Sequence, residues 1–125
     1  MKLVYLASVY SWPYDETVTP KLKEKRFKLA AKTSGKLMQK FENVFFFSPI
    51  AHSHPQQRYA KLPFDFKWYQ RDLEILSKCD ELWILDMPGW DQSEGIKKEL
   101  EKAKELNLPI FLVTPRLKVT EYESN

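Results

Sequence analysis

The sequence predicts a three-layer α/β/α fold in which a central parallel sheet is covered by helices on both faces. Four short apolar runs of strand length alternate along the chain with three segments that have the periodicity of amphipathic helices. Strands that alternate with helices form a parallel sheet, because each helix returns the chain to the same edge. The length of 125 residues is typical of one domain, and we assign residues 1–125 to it.

The first half of the chain contains two predicted strands and one predicted helix. Leu3–Ala7 is a compact apolar run and predicts a buried strand. Thr19 followed by Pro20 is typical of an N-cap with proline in the first turn, so a helix is predicted from there to about Gln39. Val44–Phe47 predicts the second strand.

The second half continues the alternation after an irregular segment. Residues 50–65 have no periodicity and predict a long loop, which in a small domain is more often functional than idle. The tail after Pro115 is polar and is predicted to be peripheral. The other predictions are a helix over Phe66–Ser77, a strand over Glu81–Asp86, a loop over Met87–Gln92, a helix over Glu94–Leu106 and a strand over Pro109–Val113.

Composition and charge exclude several kinds of partner. The net charge is only +3, and the 20 basic and 17 acidic residues are spread along the chain, so a nucleic acid polymer is not an expected partner. Cys79 is the only cysteine, which excludes an internal disulfide and argues against a cysteine-based metal site. The first apolar run is far too short for a signal peptide or a membrane span. We therefore expect a cytoplasmic protein that does not bind a membrane.

The glycines and histidines limit the expected cofactors. Gly35, Gly89 and Gly95 are the only glycines, and they cannot form the glycine-rich loops that hold ATP or a dinucleotide. His52 and His54 lie two residues apart without a third ligand at zinc spacing. A role in shaping a polar loop over a pocket is therefore favoured over a metal site. The sequence implies neither a metal nor an organic cofactor.

Glu99 lies on the apolar stripe of the last predicted helix. It is three residues after Ile96 and four before Ala103, whereas the other charged residues of this helix are on its polar face. A carboxylate in that position costs free energy unless it is paired or functional. Pattern alone leaves open a boundary glutamate that pairs with Lys98 or Lys102.

Asp72 has the same kind of position one helix earlier, three residues after Tyr69 and four before Leu76. A solvated residue at the edge of the stripe is the alternative. Two carboxylates on helices that flank one strand would converge at the ligand-binding edge of the sheet. Cleavage of a glycosidic bond needs such a pair, one to attack or stabilise the oxocarbenium-like carbon and one to handle protons.

The segment between these helices is a strand, a loop and a helix entry. Ser93 is a plausible N-cap, and the free N–H groups behind it offer a site for a phosphate or a sugar oxygen. Glu99 follows just over one turn later, where the positive helix end is expected to favour its ionised form. Trp90 in the loop is a candidate for stacking on a nucleobase, although a packing role is at least as common.

These residues resemble the nucleoside 2-deoxyribosyltransferase superfamily, which includes deoxynucleoside 5′-monophosphate N-hydrolases. Tyr5-Leu6-Ala7-Ser8 resembles its opening strand and small-residue sugar-binding turn. Asp72-Leu73, followed by Asp80, resembles the segment with its substrate-binding aspartate. Ser93-Glu94-Gly95-Ile96-Lys97-Lys98-Glu99 resembles its loop-to-helix motif. The resemblance implies a flavodoxin- or Rossmann-like fold. It also implies that Glu99 is the nucleophile at the anomeric carbon and that Asp72 is its partner. The residue that corresponds to Ser93 is a serine that contacts phosphate in the monophosphate hydrolases.

A more specific resemblance is to the DUF1937 family of small bacterial and phage proteins. It implies the fold directly and the activity only by extension. Its features appear here as Tyr5-Leu6-Ala7-Ser8, Ser48-Pro49-Ile50, His52-Ser53-His54-Pro55, Leu62-Pro63, Trp68 and Leu85-Asp86-Met87-Pro88-Gly89-Trp90.

The expected activity is cleavage or exchange of the N-glycosidic bond of a (2-deoxy)nucleoside or its 5′-monophosphate. A nucleotide-binding or sensing module without turnover is the alternative, and a purely structural domain is the third. Related enzymes complete their pockets with residues of a neighbouring subunit, which implies a homo-oligomer. Besides Glu99 and Asp72 as catalytic residues, the expected substrate-binding residues are Ser8, Ser93, Gly95, Asp86, Trp90, His52 and His54.

Overall fold

The computed structural model describes residues 1–122 and contains the predicted α/β fold. The predicted helices and strands are confirmed with bounds that differ by no more than two residues. The elements are β1 (Lys2–Ala7), α1 (Pro20–Lys40), β2 (Val44–Phe47), α2 (Pro49–Tyr59), α3 (Trp68–Ser77), β3 (Glu81–Leu85), a 3₁₀ turn (Trp90–Gln92), α4 (Glu94–Glu105), β4 (Ile110–Val113) and β5 (Val119–Glu121).

The five strands form one sheet in the order β2-β1-β3-β4-β5. The first four are parallel, and β5 is antiparallel to β4. Strand β1 lies inside the sheet, and residues 4–7 are fully buried on both of its faces. Since β1 leads to β2 on one side while β3 leads to β4 on the other, the order reverses between β1 and β3. Ligands of open α/β sheets bind at the carboxyl ends of the strands at such a reversal.

The helix starts follow the predicted capping chemistry. Thr19 Oγ1 accepts a hydrogen bond of 3.1 Å from the Leu22 N–H at the start of α1. Ser93 Oγ accepts one of 3.3 Å from the Ile96 N–H at the start of α4. Each side chain satisfies a backbone donor that the first helical turn leaves without a partner.

The predicted loop over residues 50–65 is wrong for its first part, because residues 49–59 form α2. Ser48 caps this helix by accepting a hydrogen bond of 3.2 Å from the Ala51 N–H, and Pro49 occupies its first turn. The helix has no clear apolar stripe, and Pro55 lies inside it. Both properties explain why the sequence did not predict this helix. Apolar periodicity is the main signal of a helix, and a proline inside a segment argues against one.

The tail lies at the periphery, as predicted, but residues 119–121 also form β5, an edge strand that the sequence did not predict. Leu117 turns the chain back with a positive φ of 69°. Val119 pairs with Val113, so even this short polar segment satisfies backbone groups along one side of β4. In residues 1–122 no helix is long and apolar enough to cross a membrane.

Candidate active site

A cavity of about 650 Å³ lies where the strand order reverses. Ser8, directly after β1, and Ser93, at the start of α4, both line it. Asp72 in α3 and Glu99 in α4 line the same cavity. The topology therefore brings together four side chains that the sequence singled out, which lie up to 91 residues apart along the chain.

Glu99 lies in the second turn of α4 and is partly buried. Its carboxylate accepts a short hydrogen bond from the hydroxyl of Tyr5 in β1. No ion pair joins it to a lysine within residues 1–122, and the Lys98 ammonium instead lies 4.9 Å from the ring centroid of Tyr69. The alternative of a boundary glutamate paired with a lysine is therefore not what the structure contains.

Tyr5 lies next to this cavity and was not assigned to the site by the sequence analysis. Its side chain is fully buried, and its hydroxyl is directed at Glu99. A buried tyrosine hydroxyl needs a partner, and a tyrosine among the aliphatic residues of a strand buried on both faces is the signal that was available. Burial, together with the nearby Glu99 and Asp72, keeps the pKa of Tyr5 well above its usual value, so Tyr5 is a hydrogen-bond donor.

The electrostatics of Glu99 differ from the sequence expectation. Burial raises its pKa to about 8; the Tyr5 hydrogen bond opposes this shift, and the charge of Asp72 adds to it. The positive helix end was expected to favour the ionised form. That effect falls off within the first turn, and Glu99 is the sixth residue of α4. Desolvation of the carboxylate therefore exceeds the helix-end effect.

Asp72 is also partly buried, and burial raises its pKa to about 7. No ion pair joins it to another described residue. The two carboxyl groups thus gain and lose protons near neutral pH, whereas exposed carboxyl groups do so near pH 4. A pair of this kind has the protonation behaviour that acid–base catalysis requires.

Two serines and a glycine supply polar groups and space beside the carboxylates. Ser8 Oγ is buried without a hydrogen-bond partner in the described part of the chain, so its hydroxyl is available to a ligand. Ser93 Oγ accepts the hydrogen bond that caps α4, and its own O–H can still donate to a ligand. A Cβ at Gly95 would meet Ser93 Oγ at 3.8 Å, an ordinary contact, and no other side chain within 4 Å.

The other predicted binding residues are divided between different places. His54 lines the main cavity, whereas His52 lines a neighbouring one together with Trp68 and Asp72. Trp90 lines neither of these cavities and packs edge-on against Tyr122, with 6.4 Å between ring centroids.

Asp86 is exposed and lines neither cavity either. Its N–H donates to the Val113 carbonyl at 2.8 Å, which extends the pairing of β3 and β4 beyond the end of β3. The structure thus does not bring Trp90 or Asp86 to the main cavity. Within residues 1–122 there is also no group of three or more histidine, cysteine, aspartate or glutamate side chains that could hold a metal ion.

Comparison with known proteins agrees with this architecture. The chain is similar in structure to a 2-deoxyribosyltransferase from the psychrotolerant bacterium Bacillus psychrosaccharolyticus, described as a biocatalyst for the synthesis of nucleosides. The TM-score is 0.57 at 22% sequence identity, over 98% of this chain and 77% of the other. This likeness establishes the fold. No protein of curated function matches the sequence. The model of a family described as a domain of unknown function, DUF1937, matches residues 2–114, and the chain therefore belongs to that family.

Proposed function

We propose that the protein cleaves or exchanges the N-glycosidic bond of a (2-deoxy)nucleoside or its 5′-monophosphate. The observation that carries the proposal is that Glu99 and Asp72 line the cavity at the strand reversal while buried Tyr5 donates a hydrogen bond to Glu99. The structural neighbour is a 2-deoxyribosyltransferase, which supports the same class of chemistry. A buried carboxylate that has a hydroxyl donor and no cation is suited to attack on an electron-poor carbon.

In the first step, ionised Glu99 attacks C1′ of the sugar. A C1′–O bond forms, the C1′–N bond breaks, and its electron pair leaves with the base. The base takes up a proton, which Asp72 in its protonated form supplies. In the second step water or another base attacks C1′, loses a proton to Asp72 and releases Glu99, so that hydrolysis and transfer differ only in the acceptor.

Tyr5 sets the reactivity of the nucleophile in this scheme. Its hydrogen bond lowers the pKa of Glu99 against the effect of burial and thereby increases the ionised fraction. The same bond fixes the orientation of one carboxylate oxygen and leaves the other for the sugar. Tyr5 is itself held by β1, the strand that pairs with both β2 and β3.

The start of α4 is the proposed site for the 5′-phosphate or 5′-hydroxyl of the sugar. Ser93 has a hydroxyl hydrogen to donate, and the first N–H groups of a helix favour an anion. Gly95 leaves space beside the serine. Ser8, whose buried hydroxyl has no hydrogen-bond partner within residues 1–122, is the proposed contact for a sugar oxygen.

Base release is the direct test. The protein is incubated with 2′-deoxynucleosides and their 5′-monophosphates, and free base is measured by chromatography, with and without a second base as acceptor. Wild type should release base and Glu99→Gln should not. Glu101→Gln, which removes a carboxylate from the exposed face of the same helix, is the matched control and should retain activity. Equal release by wild type and Glu99→Gln would refute the assignment.

A nucleotide-binding module without turnover is the second candidate, favoured by the unpartnered Ser8 hydroxyl, which indicates binding rather than chemistry. A thermal-shift titration distinguishes it. A rise in melting temperature with nucleotides but no base release would support the module, since a ligand that binds only the folded state stabilises it. We also propose a cytoplasmic homo-oligomer, and light scattering at micromolar concentration tests the assembly.

A further inference from the structure

A second polar cluster belongs to elements other than α4, which carries Glu99. It joins Glu24 of α1, His54 of α2 and Tyr10 of the loop after β1, and we call it the Tyr10 relay. His54 Nε2 lies 2.7 Å from a Glu24 carboxylate oxygen, and His54 Nδ1 lies 2.5 Å from the Tyr10 hydroxyl. Strand β1 lies between β2 and β3 in the sheet. Because α2 follows β2 and α4 follows β3, His54 and Glu99 belong to elements that begin on opposite sides of β1.

The hydrogen atoms in this relay have only one arrangement when the imidazole is neutral. A carboxylate can only accept, so His54 Nε2 carries the hydrogen and donates it to Glu24. Nδ1 then has no hydrogen and accepts one from the Tyr10 hydroxyl. Tyr10 has thereby used its only hydrogen, and its oxygen can offer further partners nothing except lone pairs.

The relay is held in place by contacts on several sides. Phe27 stacks on the His54 ring, with 4.3 Å between centroids and an angle of 18°. The His54 side chain is only 12% exposed. Arg26 donates to the carbonyls of Tyr10 and Trp12, at 2.7 and 2.8 Å, and so fixes the loop that carries the tyrosine. Packing of α1, α2 and the loop after β1 therefore fixes the place of the Tyr10 oxygen.

The charged groups around the relay keep this arrangement. The hydrogen bond from His54 lowers the pKa of Glu24, which remains a carboxylate and an acceptor. Lys28 and Arg58 act on Glu24 in the same direction. Lys23 places its ammonium over the Tyr10 ring, 5.5 Å from the ring centroid.

We propose that the Tyr10 oxygen is the hydrogen-bond acceptor that selects a nucleobase with an exocyclic amino group. Tyr10 and His54 line the same cavity as the two carboxylates that would hold the sugar but belong to other elements, so we place the base beside them. An amino group donates to the lone pairs of Tyr10, whereas a carbonyl oxygen at the same place would meet another acceptor. This inference rests on the proposed function, because it takes the base to occupy the α2 side.

Binding of free bases tests the subsite without any catalytic step. Adenine and unsubstituted purine differ in the amino group alone, and both can be titrated by NMR at about pH 8.5, where histidine is ordinarily neutral. Adenine should bind the wild type roughly 3- to 10-fold more tightly than purine, the effect of one hydrogen bond. Tyr10→Phe should make the two affinities equal. Tyr59→Phe, which removes an exposed hydroxyl from the same helix as His54, should leave the preference unchanged.

The direction of the hydrogen bonds can be measured in the free protein. The chain has two histidines, so ¹⁵N spectra of wild type and His52→Asn identify the His54 signals. The proposal requires a protonated Nε2 and an unprotonated Nδ1. The opposite tautomer, an adenine preference that survives Tyr10→Phe, or no binding of either base at millimolar concentration would overturn it. Absence of base release together with a Tyr10-dependent adenine preference would refute the proposed reaction and leave this subsite intact.

Discussion

Replacing Glu99 with glutamine should make the protein more stable at alkaline pH while it abolishes activity. Burial raises the pKa of Glu99 to about 8, from the 4.5 of a solvated glutamate. Between these two values the folded protein holds a proton that the unfolded chain has lost. The free energy of unfolding must therefore fall as the pH rises from about 4.5 to about 8, and it is constant with respect to this group outside that range.

The size of the effect follows from the same two values. Each pH unit between them corresponds to about 1.4 kcal/mol, so complete ionisation of Glu99 lowers the free energy of unfolding by at most about 5 kcal/mol. Glutamine carries no charge at any pH, and its carbonyl oxygen still accepts the hydrogen bond from Tyr5. The two proteins should be equally stable at pH 5 to within about 1 kcal/mol, and Glu99→Gln should be more stable by roughly 2–5 kcal/mol at pH 9.

Urea unfolding at a series of pH values measures this difference. Asp72 also has a raised pKa and contributes a pH dependence to both proteins, so the comparison between variants is the informative quantity. Glu101→Gln should follow the wild type at every pH. An equal decline of stability with pH in wild type and Glu99→Gln would show that Glu99 is solvated, and the argument from desolvation would then be wrong.

Three further predictions concern the proposed reaction. The profile of kcat/KM against pH should be bell-shaped with its maximum between about 7 and 8, because Asp72 must keep its proton and Glu99 must lose its own; a rate that does not change from pH 6 to 9 would contradict these roles. Because Asp72 has the lower pKa of the two, the alkaline limb of this profile follows Glu99. Tyr5→Phe should therefore lower the maximum of kcat/KM roughly tenfold or more and move the alkaline limb by roughly one pH unit or more to higher pH, since the lost hydrogen bond lowered the pKa of Glu99; an unchanged profile would leave Tyr5 a purely structural role. A 5′-monophosphate should bind roughly 10- to 100-fold more tightly than its nucleoside in calorimetry, and Ser93→Ala should remove most of the difference. Gly95→Ala, which has space to fold normally, should weaken the monophosphate more than the nucleoside, and equal affinities for the two ligands in wild type would reject the phosphate site.

The pattern of apolar residues predicted the strands, the long helices and the unusual positions of Glu99 and Asp72. Glu99 and Asp72 interrupt apolar stripes, and a charged residue at such a position is visible in one sequence because its neighbours define the stripe. Ser93 was predicted as a cap, since the chemistry of a helix start is local. These are features that depend on residues within one or two helical turns.

The features that were missed depend on distant residues. In the sequence, Tyr5 has the position of a packing residue in a buried strand. Only the fold brings its hydroxyl to the carboxylate of Glu99, which is 94 residues away in the chain. The pairing of His54 with Glu24 spans 30 residues and two helices, one of which the sequence did not predict. Trp90 was expected to face a ligand, but its partner Tyr122 comes from the far end of the chain.

Strand β1 and the loop that follows it carry several hydroxyl groups of the site: that of Tyr5, which donates to Glu99, and those of Ser8, Tyr10, Ser11 and Tyr14, which line the cavity. The first of them lies on a strand that is hydrogen-bonded to neighbours on both sides. Local fluctuations that open a protein without unfolding it seldom reach such a strand. The amide of Tyr5 should therefore exchange its hydrogen with solvent only as slowly as the whole molecule unfolds. During heating, Tyr5 should therefore keep its position until the sheet itself separates.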